Sequence, residues 1–189
     1  MPIVTADDVV LLTETSKTAG DIEETGIIAT VTERVRTFCH NDFSSDSIYL
    51  ASAVTFNATA GTIVAGSSYV TAGFAAGDEI RVSGSYRNDK YLTIASVSTT
   101  TITIATAESV VAELSGATVT VSLVDWPDDI PYAAAQLVKY DLDDRPTRGA
   151  GITSQTLGPR SESYSERGTF GYPEDLLALF DEYRRPTFG

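Results

Sequence analysis

The side chains best able to act as a nucleophile or a base stand next to each other in this sequence. Cys39 and His40 are the only cysteine and the only histidine in the chain. A Ser-His-Asp triad would need His40, and one histidine is too few for a multi-histidine metal site. Because no basic group is placed to lower the pKa of the thiol, we expect Cys39 to be a buried structural residue. We expect His40 to lie on the surface at a helix C-terminus, where the helix dipole favours it.

Acidic residues lie near both ends of the stretch from Trp126 to Arg145 and raise the question of a cation site. They are Asp128, Asp129, Asp141, Asp143 and Asp144. A calcium loop needs oxygen ligands at alternating positions and a glycine at its turn, and that spacing is absent. Paired carboxylates of the kind that cleave glycosides have no fixed spacing in sequence, and nothing singles out a pair here. We therefore predict no catalytic residue, no metal and no cofactor.

The central element that holds these acidic residues is a helix predicted after Trp126. Its apolar residues are Ile130, Ala134, Leu137 and Val138. They have the spacing of one helical face. Pro127 suits the first turn, but Pro131 would remove a hydrogen bond if the helix began there. The regular helix is therefore expected to begin near Asp129 or Ile130.

Two further helices are predicted in the N-terminal part of the chain. Thr5 and Asp8 have the types and spacing of a capping box that begins a short helix. A longer helix is predicted over Asp21–Asn41, roughly 30 Å long at 1.5 Å per residue, with Gly26 weakening its interior by about 1 kcal/mol relative to alanine. Its apolar face carries Ile28, Val31, Val35, Phe38 and Cys39. That face needs a partner, and we predict that the helix after Trp126 supplies it.

From Ser47 onward the apolar period changes to two, which is typical of strands with one solvated face. Glycine-containing turns separate the strand-like runs, and no helical pattern lies between them. The runs cover residues 48–50, 54–56, 62–64, 79–83, 91–97, 101–104 and 117–123. Strands at this spacing indicate a small antiparallel barrel or sandwich.

The C-terminal part is predicted to hold a β-hairpin followed by one more helix. The hairpin covers Ile152–Tyr164, with Gly158-Pro159 at its turn. The helix opens at Pro173, and Pro186 ends it. Its predicted apolar face carries Leu176, Leu179, Phe180 and Tyr183.

These elements predict an α+β fold. A helical body of three to four helices plus a short β-hairpin is expected from residues 1–46 and 125–189. An antiparallel β-barrel or sandwich module, residues 47–124, is expected to be inserted into it. The helical segments need each other's apolar faces, whereas the insert can bury its own.

The composition limits the classes of function. The chain has 189 residues, of which 42% are hydrophobic, and its net charge is −13. Such a chain is expected to fold and to repel phosphate, so adhesive binding of nucleic acid is not expected. A surface past which DNA slides without binding is compatible with this charge. The sequence has no apolar run long enough for a membrane span and no signal-peptide pattern, and its single cysteine fits a reducing compartment.

Several motifs together resemble the head–tail connector (adaptor, head-completion) proteins of tailed bacteriophages. The C-terminal ones begin at Trp126-Pro127, Ser154-Gln-Thr-Leu-Gly158 and Tyr172-Pro173-Glu, and the last ends at Tyr183-Arg184-Arg185-Pro186. The N-terminal ones are Thr5…Asp8-Val9-Val10 and Ile22-Glu-Glu24…Ile28. The stretch from Gly73 to Val97 is similar to a β module of various phage virion proteins. Small members of the family join the two helices directly, so the insert sets this chain apart.

The resemblance implies a structural virion protein that forms a ring of about twelve copies at the neck of the virion. Such a ring docks on the portal protein, joins the capsid to a tail-side neck protein (a stopper, a terminator or the tail tube) and leaves a channel for double-stranded DNA. The protein would be made in the host cytoplasm, with no membrane as partner.

The end of the chain is the predicted portal contact. The candidate residues are Tyr183, Arg184, Arg185, Pro186 and Phe188. Arg184 and Arg185 fit equally well as residues that complement the helix dipole.

A second hypothesis makes the insert a module that binds carbohydrate or a host surface. The aromatic candidates for stacking on sugars are Tyr49, Tyr69, Tyr86 and Tyr91. The same four side chains could equally be aromatic residues of a strand core.

Overall fold

The computed structural model describes residues 3–114, 118–144, 154–157, 160–163 and 169–186. The chain divides into two compact units. The β unit comprises Asp42–Asp125, and the helical unit comprises Pro2–Asn41 together with Trp126–Gly189. The first boundary lies between Asn41 and Asp42 rather than between residues 46 and 47. The second lies between Asp125 and Trp126, one residue later than expected from the sequence.

The predicted α+β class is confirmed, since helices and antiparallel strands both occur. The helical unit contains α1 (Ala6–Leu12), α2 (Ala19–Thr25) and α3 (Ile27–Cys39) from the first segment. One short helix, α4 (Tyr69–Ala72), belongs to the β unit. The second segment of the helical unit supplies α5 (Ile130–Lys139) and α6 (Glu174–Ala178).

The two distant segments of the helical unit pack against each other, as predicted. Helix α5 contacts α1, α3 and α6. Its buried face includes Ile130, Ala134, Leu137 and Val138, and α3 buries Val31, Val35 and Cys39. Each large apolar side chain buried in this way stabilises the unit by about 1.5–3 kcal/mol. Alanines on α5 allow the helices to approach closely, because they carry no long side chains.

The predicted single helix over Asp21–Asn41 is wrong, because Gly26 ends one helix and begins another. Gly26 has φ +63°, a left-handed conformation that residues with a Cβ rarely adopt. It is the C-terminal cap of α2 and the N-terminal cap of α3. The apolar spacing continues across it, so periodicity alone did not reveal the break. The glycine that was predicted to weaken one helix is therefore the residue that allows the chain to turn between two helices.

Two capping boxes fix where the first helices begin. Thr5 and Asp8 form the first, as predicted. The second joins Thr18 to Asp21, so α2 begins at Ala19 rather than at Asp21. Helix α5 begins at Ile130, as predicted. A five-residue π-helix, Tyr140–Asp144, continues it.

The β unit is one antiparallel sheet of six strands. They are β1 (Ser44–Asn57), β2 (Thr62–Ala65), β3 (Glu79–Ser83), β4 (Tyr91–Val97), β5 (Thr101–Ile104) and β6 (Thr118–Val124). The pairing order is β1-β2-β5-β4-β3-β6, and β6 pairs again with β1, so the pairings close on themselves. Inward residues such as Ile63, Ile80, Val82 and Ile102 form the core of this unit.

Two features of the β unit differ from the sequence expectation. The runs at 48–50 and 54–56 belong to a single long strand, β1. The residues between them, Ala51, Ser52 and Ala53, continue the pairing with β6 but include no large apolar side chain that would mark a strand in the sequence. Helix α4 was not predicted. It is a single turn, with the Ser68 hydroxyl capping its start and Gly73 at φ +102° ending it. A turn this short has no apolar period to read.

The C-terminal hairpin and helix are also present. Strands β7 (Ser154–Leu157) and β8 (Arg160–Ser163) pair antiparallel, and the predicted Gly158-Pro159 turn lies outside the described residues. Helix α6 is followed by a 3-10 turn, Asp181–Tyr183. The predicted apolar face is partly wrong, because Leu177 and Phe180 are buried while Leu179 is exposed. The helix ends after five residues, so the period changes at Leu179.

Candidate functional site

Cys39 and His40 are adjacent in sequence but differ in environment. The Cys39 side chain is buried, and its Sγ lies 3.8 Å from the carbonyl oxygen of Phe180. Burial raises the pKa of the Cys39 thiol to about 11, and the nearby carboxylate of Asp181 adds to the rise. His40 is exposed and caps the C-terminus of α3 with φ +48°. The thiol is therefore protonated at neutral pH, as expected of a structural cysteine.

Three of the five acidic residues near the ends of α5 are bound to different protein donors. The Asp129 carboxylate accepts a hydrogen bond from the Tyr183 hydroxyl, and the Asp143 carboxylate accepts one from the Ser16 hydroxyl. Asp141 is bound by Arg34. Over the described ranges, no group of three histidine, cysteine or acidic side chains is arranged to hold a metal ion. These carboxylates therefore act as anchors within the helical unit.

A buried polar cluster joins three parts of the helical unit. Arg34 Nη1 lies 2.8 Å from Asp141 Oδ2, and the Tyr172 hydroxyl donates to the same oxygen from 2.7 Å. Arg34 also donates to the Tyr172 hydroxyl oxygen at 2.7 Å, and its guanidinium carbon lies 5.4 Å from the centre of the tyrosine ring. Burial, reinforced by the hydrogen bond to Asp141, raises the pKa of Tyr172 to about 12. The cluster fixes α3, the π-helix and the start of α6.

Sequence reasoning missed this cluster, although a signal was present. Asp141 falls eleven residues after Ile130 and so continues the apolar face of α5 by about three turns. Arg34 lies between Val31 and Val35 on α3. A charge at the edge of an apolar face needs a partner, because burying an unpaired charge is costly. Two such charges of opposite sign on the two facing helices therefore indicated an ion pair.

The predicted portal-contact residues are held on the helical unit by four contacts. The Tyr183 hydroxyl donates to Asp129 Oδ1 at 2.5 Å, and the Asn41 side-chain amide donates to the Tyr183 carbonyl at 3.3 Å. The Arg184 guanidinium carbon lies 4.8 Å from the centre of the Phe38 ring. The backbone N–H of the next residue, Arg185, donates to the Cys39 carbonyl at 2.8 Å.

These contacts divide the predicted residues into two groups. Tyr183 and Arg184 use their side chains within the subunit, and the Arg184 guanidinium also pairs with Asp181. The side chains of Arg185 and Pro186 are exposed. Phe188 lies outside the described residues. Among the described candidates, the exposed side chains with no contact shown within the subunit are therefore those of Arg185 and Pro186.

Helix α1 has an outer face that the unit leaves uncovered. Leu11 is 82% exposed, and Val10 beside it is 40% exposed. Asp7 on α1 is exposed, and so is Glu14, which follows the extended cap residue Thr13. Four consecutive apolar residues in a two-turn helix cannot all face one core, and only Val9 is buried. The run of four apolar residues, Val9 to Leu12, therefore already indicated in the sequence that some of these side chains would be exposed.

The four tyrosines of the second hypothesis separate into two pairs. Tyr69 is fully buried in the core of the β unit, edge-on to Phe74 at 5.8 Å between ring centres. Tyr91 donates its hydroxyl to Asp42 at 2.5 Å. Tyr49 and Tyr86 are exposed. Two of the four are therefore structural, and two are available for stacking.

The loop that carries Tyr86 is held by a carboxylate. The Glu113 side chain accepts hydrogen bonds from the Ser85 hydroxyl, the Tyr86 backbone and the Asn88 amide, at 2.7, 3.1 and 3.2 Å. The hydrogen bond from Ser85 is the largest cause that lowers the pKa of Glu113. Asn88 also exchanges two hydrogen bonds with the backbone of Val111. The polar groups beneath Tyr86 are thus bound to each other.

None of the described helices is both long and apolar enough to cross a membrane. No protein-family model matches the sequence. A comparison with curated proteins also found no significant match.

Proposed function

We propose that this protein is a structural component of a tailed-phage virion: a ring-forming head–tail adaptor. In this function it docks on the portal protein, joins the capsid to a tail-side neck protein and leaves a channel for DNA. The motifs at both ends of the chain carry the resemblance to this family. The β unit is then a barrel module inserted into the adaptor body.

One observation carries the proposal most directly. The helical unit exposes large apolar side chains on three of its elements, namely Leu11 on α1, Tyr132 on α5 and Leu179 after α6. On α1 the exposed Val10 adjoins Leu11, and adjoining exposed apolar side chains are typical of surfaces that associate with protein. In a homo-oligomeric ring, sister copies bury such surfaces.

The charge of the chain is consistent with a DNA channel. The sequence has twice as many acidic as basic residues, 26 against 13. A channel lined by carboxylates does not bind phosphate, so DNA can pass through without being held. Binding of DNA would instead require clustered lysine and arginine side chains.

The experiment that tests the proposal is reconstitution with the portal protein of the same phage. The purified chain and the portal ring are mixed, and the complex is measured by native mass spectrometry and imaged by electron microscopy. We expect a symmetric ring of the chain stacked on the portal. A chain that stays monomeric and never binds the portal, even at high concentration, would refute the proposal.

The alternative function is binding of carbohydrate or a host surface by the β unit. The observation that favours it is Tyr86, which is 85% exposed at the tip of a loop held by Glu113. Against it, sugar sites combine an aromatic face with polar side chains that have free hydrogen-bonding capacity. The Glu113 and Asn88 side chains below the loop use theirs internally. Binding of the full chain to a glycan array, lost in Tyr86→Ala, would support this alternative.

A further inference from the structure

The chain passes between its two units twice, each time through a short segment that is neither helix nor strand. The entry connection, residues 40–43, joins α3 to β1, and the exit connection, residues 125–129, joins β6 to α5. Each connection contains one boundary between the units. In the β unit, the backbone N–H of Asp125 donates to the Phe43 carbonyl at 2.8 Å. The two connections therefore lie side by side at that point.

One short segment of the helical unit binds both connections. It consists of Tyr183, Arg184 and Arg185, and we call it the strap. The Tyr183 hydroxyl donates to the Asp129 carboxylate in the exit connection. The Tyr183 carbonyl accepts a hydrogen bond from the Asn41 side-chain amide in the entry connection, at 3.3 Å. A single residue of the strap thus contacts the chain where it leaves the helical unit and where it returns.

The other two residues of the strap fasten it to the end of α3. The backbone N–H of Arg185 donates to the carbonyl of Cys39, the residue directly before the entry connection, at 2.8 Å. The Arg184 guanidinium carbon lies 4.8 Å from the centre of the Phe38 ring. The strap is therefore bound at the entry side through each of its three residues and at the exit side through Tyr183.

The entry connection has a backbone conformation that depends on contacts around it. His40 has φ +48° and Phe43 has φ +51°, and residues with a Cβ rarely adopt these left-handed conformations. Such conformations persist where the surrounding structure holds them. Asn41, which lies between the two, is the residue whose side chain binds the strap.

We infer that the strap couples the two connections, so that loosening its contact with one of them loosens both. Such a coupling is a free energy shared between two sites, and it works in either direction. Arg185 and Pro186, at the end of the strap, are exposed. A molecule that binds there acts on the course of the chain into and out of the β unit without contacting the connections themselves. The inference does not depend on the adaptor function.

Hydrogen exchange of the full-length chain, resolved to single amides by NMR, tests the coupling. The reporter amides are His40 and Asn41, which donate to carbonyls of α3, and Asp125, which donates to Phe43. Tyr183→Phe removes only the hydroxyl that binds the exit connection. We nevertheless expect all three reporters to exchange roughly two- to tenfold faster, the factor that corresponds to the loss of one hydrogen bond.

The expected change is limited because one other contact remains in this variant. The guanidinium carbon of Arg36 on α3 lies 5.1 Å from the centre of the Trp126 ring in the exit connection. The control is Tyr132→Phe, which removes the hydroxyl of an exposed tyrosine on α5. It should leave the exchange of all three reporters unchanged.

A second variant disables the strap from the entry side. Arg185→Pro removes the backbone N–H that binds Cys39, and Arg184 before it already has the extended conformation that a following proline requires. The Asp125 amide should exchange faster in this variant, although the lost bond lies at the end of α3. Arg185→Ala keeps the N–H and is the matched control, which should exchange like the unaltered chain.

The pattern of exchange decides the outcome. Faster exchange at both connections in both variants, with the rest of α3 and α5 unchanged, supports the coupling. Faster exchange only at the connection whose contact was removed would show two independent contacts and overturn the inference. A rise of equal size along the whole of α3 and α5 would also overturn it, because it would show a general loss of stability.

Discussion

Arg34 and Asp141 connect the two halves of the helical unit through one ion pair. They are 107 positions apart in sequence, with the whole β unit between them, yet Arg34 Nη1 lies 2.8 Å from Asp141 Oδ2. The Asp141 side chain is only 4% exposed, whereas that of Arg34 is 28% exposed. Tyr172 donates to the same carboxylate oxygen. The helical unit is therefore held by a polar cluster as well as by its apolar core.

Arg34→Met should destabilise the protein, because it leaves the buried Asp141 carboxylate with only part of its hydrogen bonding. Removing one partner of a buried pair costs about 3–5 kcal/mol. Since Arg34 is partly exposed and Tyr172 still donates, we expect a smaller loss of about 2–3 kcal/mol. Urea unfolding of the two chains measures the difference.

The matched control for this change is Arg87→Met in the β unit. Arg87 is exposed, and no described residue pairs with its guanidinium. Its replacement should change the free energy of unfolding by less than about 0.5 kcal/mol. Equal effects of the two substitutions would mean that the Arg34–Asp141 pair contributes nothing specific.

Gly26→Ala should destabilise the protein by about 1–2 kcal/mol, because Gly26 has φ +63° and alanine is strained in that conformation. No other atom lies within 4 Å of the added Cβ, so the cost comes from the backbone alone. Thermal unfolding followed by circular dichroism measures the change.

Gly20→Ala in α2 is the control, and its expected effect on stability has the opposite sign. Gly20 does not have a positive φ, and its added Cβ would meet only the Thr18 hydroxyl at 3.9 Å. Alanine should therefore stabilise by about 0.4–1 kcal/mol, since it restricts the unfolded chain. If both substitutions stabilise, α2 and α3 form one continuous helix and the break at Gly26 is wrong.

The helical pairing could be predicted from sequence because it rests on periodic apolar residues. Val31 and Val35 on α3 are four residues apart, as are Ala134 and Val138 on α5, and each face needs a partner. The break at Gly26 could not be predicted in this way, since the apolar spacing continues across it and only the backbone angle changes. Sequence periodicity reports which face is buried and is insensitive to a local turn that preserves the face.

The Tyr183–Asp129 hydrogen bond should make stability depend on pH at both extremes. The donated hydrogen bond lowers the pKa of Asp129 below its ordinary 3.8, and the same bond raises the pKa of Tyr183 above its ordinary 10.0. A carboxyl with a lowered folded pKa contributes stability above its unfolded pKa and loses it as the pH falls. A tyrosine with a raised folded pKa contributes stability below pH 10 and loses it as the pH rises.

Tyr183→Phe tests this dependence. The unaltered chain should be more stable than the variant at neutral pH, and the difference should shrink below about pH 4 and above about pH 10. Urea unfolding at a series of pH values measures it. A difference that stays constant from neutral pH down to pH 3 would show that the bond is absent in solution.

Two truncations separate the contributions of the last six residues to docking and to stability. Deleting residues 187–189 should weaken docking on the portal, because it removes the candidate contact Phe188, and it keeps the contacts of Arg184 and Arg185 with the helical unit. Deleting 184–189 removes the contact of Arg184 with Phe38 and the hydrogen bond from Arg185 to Cys39. That deletion should cost about 1–2 kcal/mol of stability.

The Cys39 thiol reports on the longer truncation. Labelling with a thiol reagent should be slow in the full chain, where the side chain is buried. It should become faster after deletion of 184–189 and stay slow after deletion of 187–189. Normal docking by the chain that lacks 187–189 would refute Phe188 as a portal contact, and normal docking by the folded chain that lacks 184–189 would refute Arg184, Arg185 and Pro186 as well.

The candidate surfaces were only partly predictable from sequence. The C-terminal arginines stood out, but which of them contacts the helical unit through its side chain and which through its backbone depends on where Phe38 and Cys39 lie in three dimensions. The exposed Leu11 was visible as one of four consecutive apolar residues, yet which of the four faces the core depends on how α1 packs. The sequence identifies apolar and charged side chains that need a partner. Only the folded structure shows which of them find that partner within the subunit.

The most direct test of the account is the mass of the unaltered chain in solution, alone and with the portal protein, over a wide range of concentrations. Sedimentation velocity is expected to show a closed ring of about twelve copies that also forms on the portal. A chain that remains a single copy at every concentration, with portal present or absent, would contradict the account.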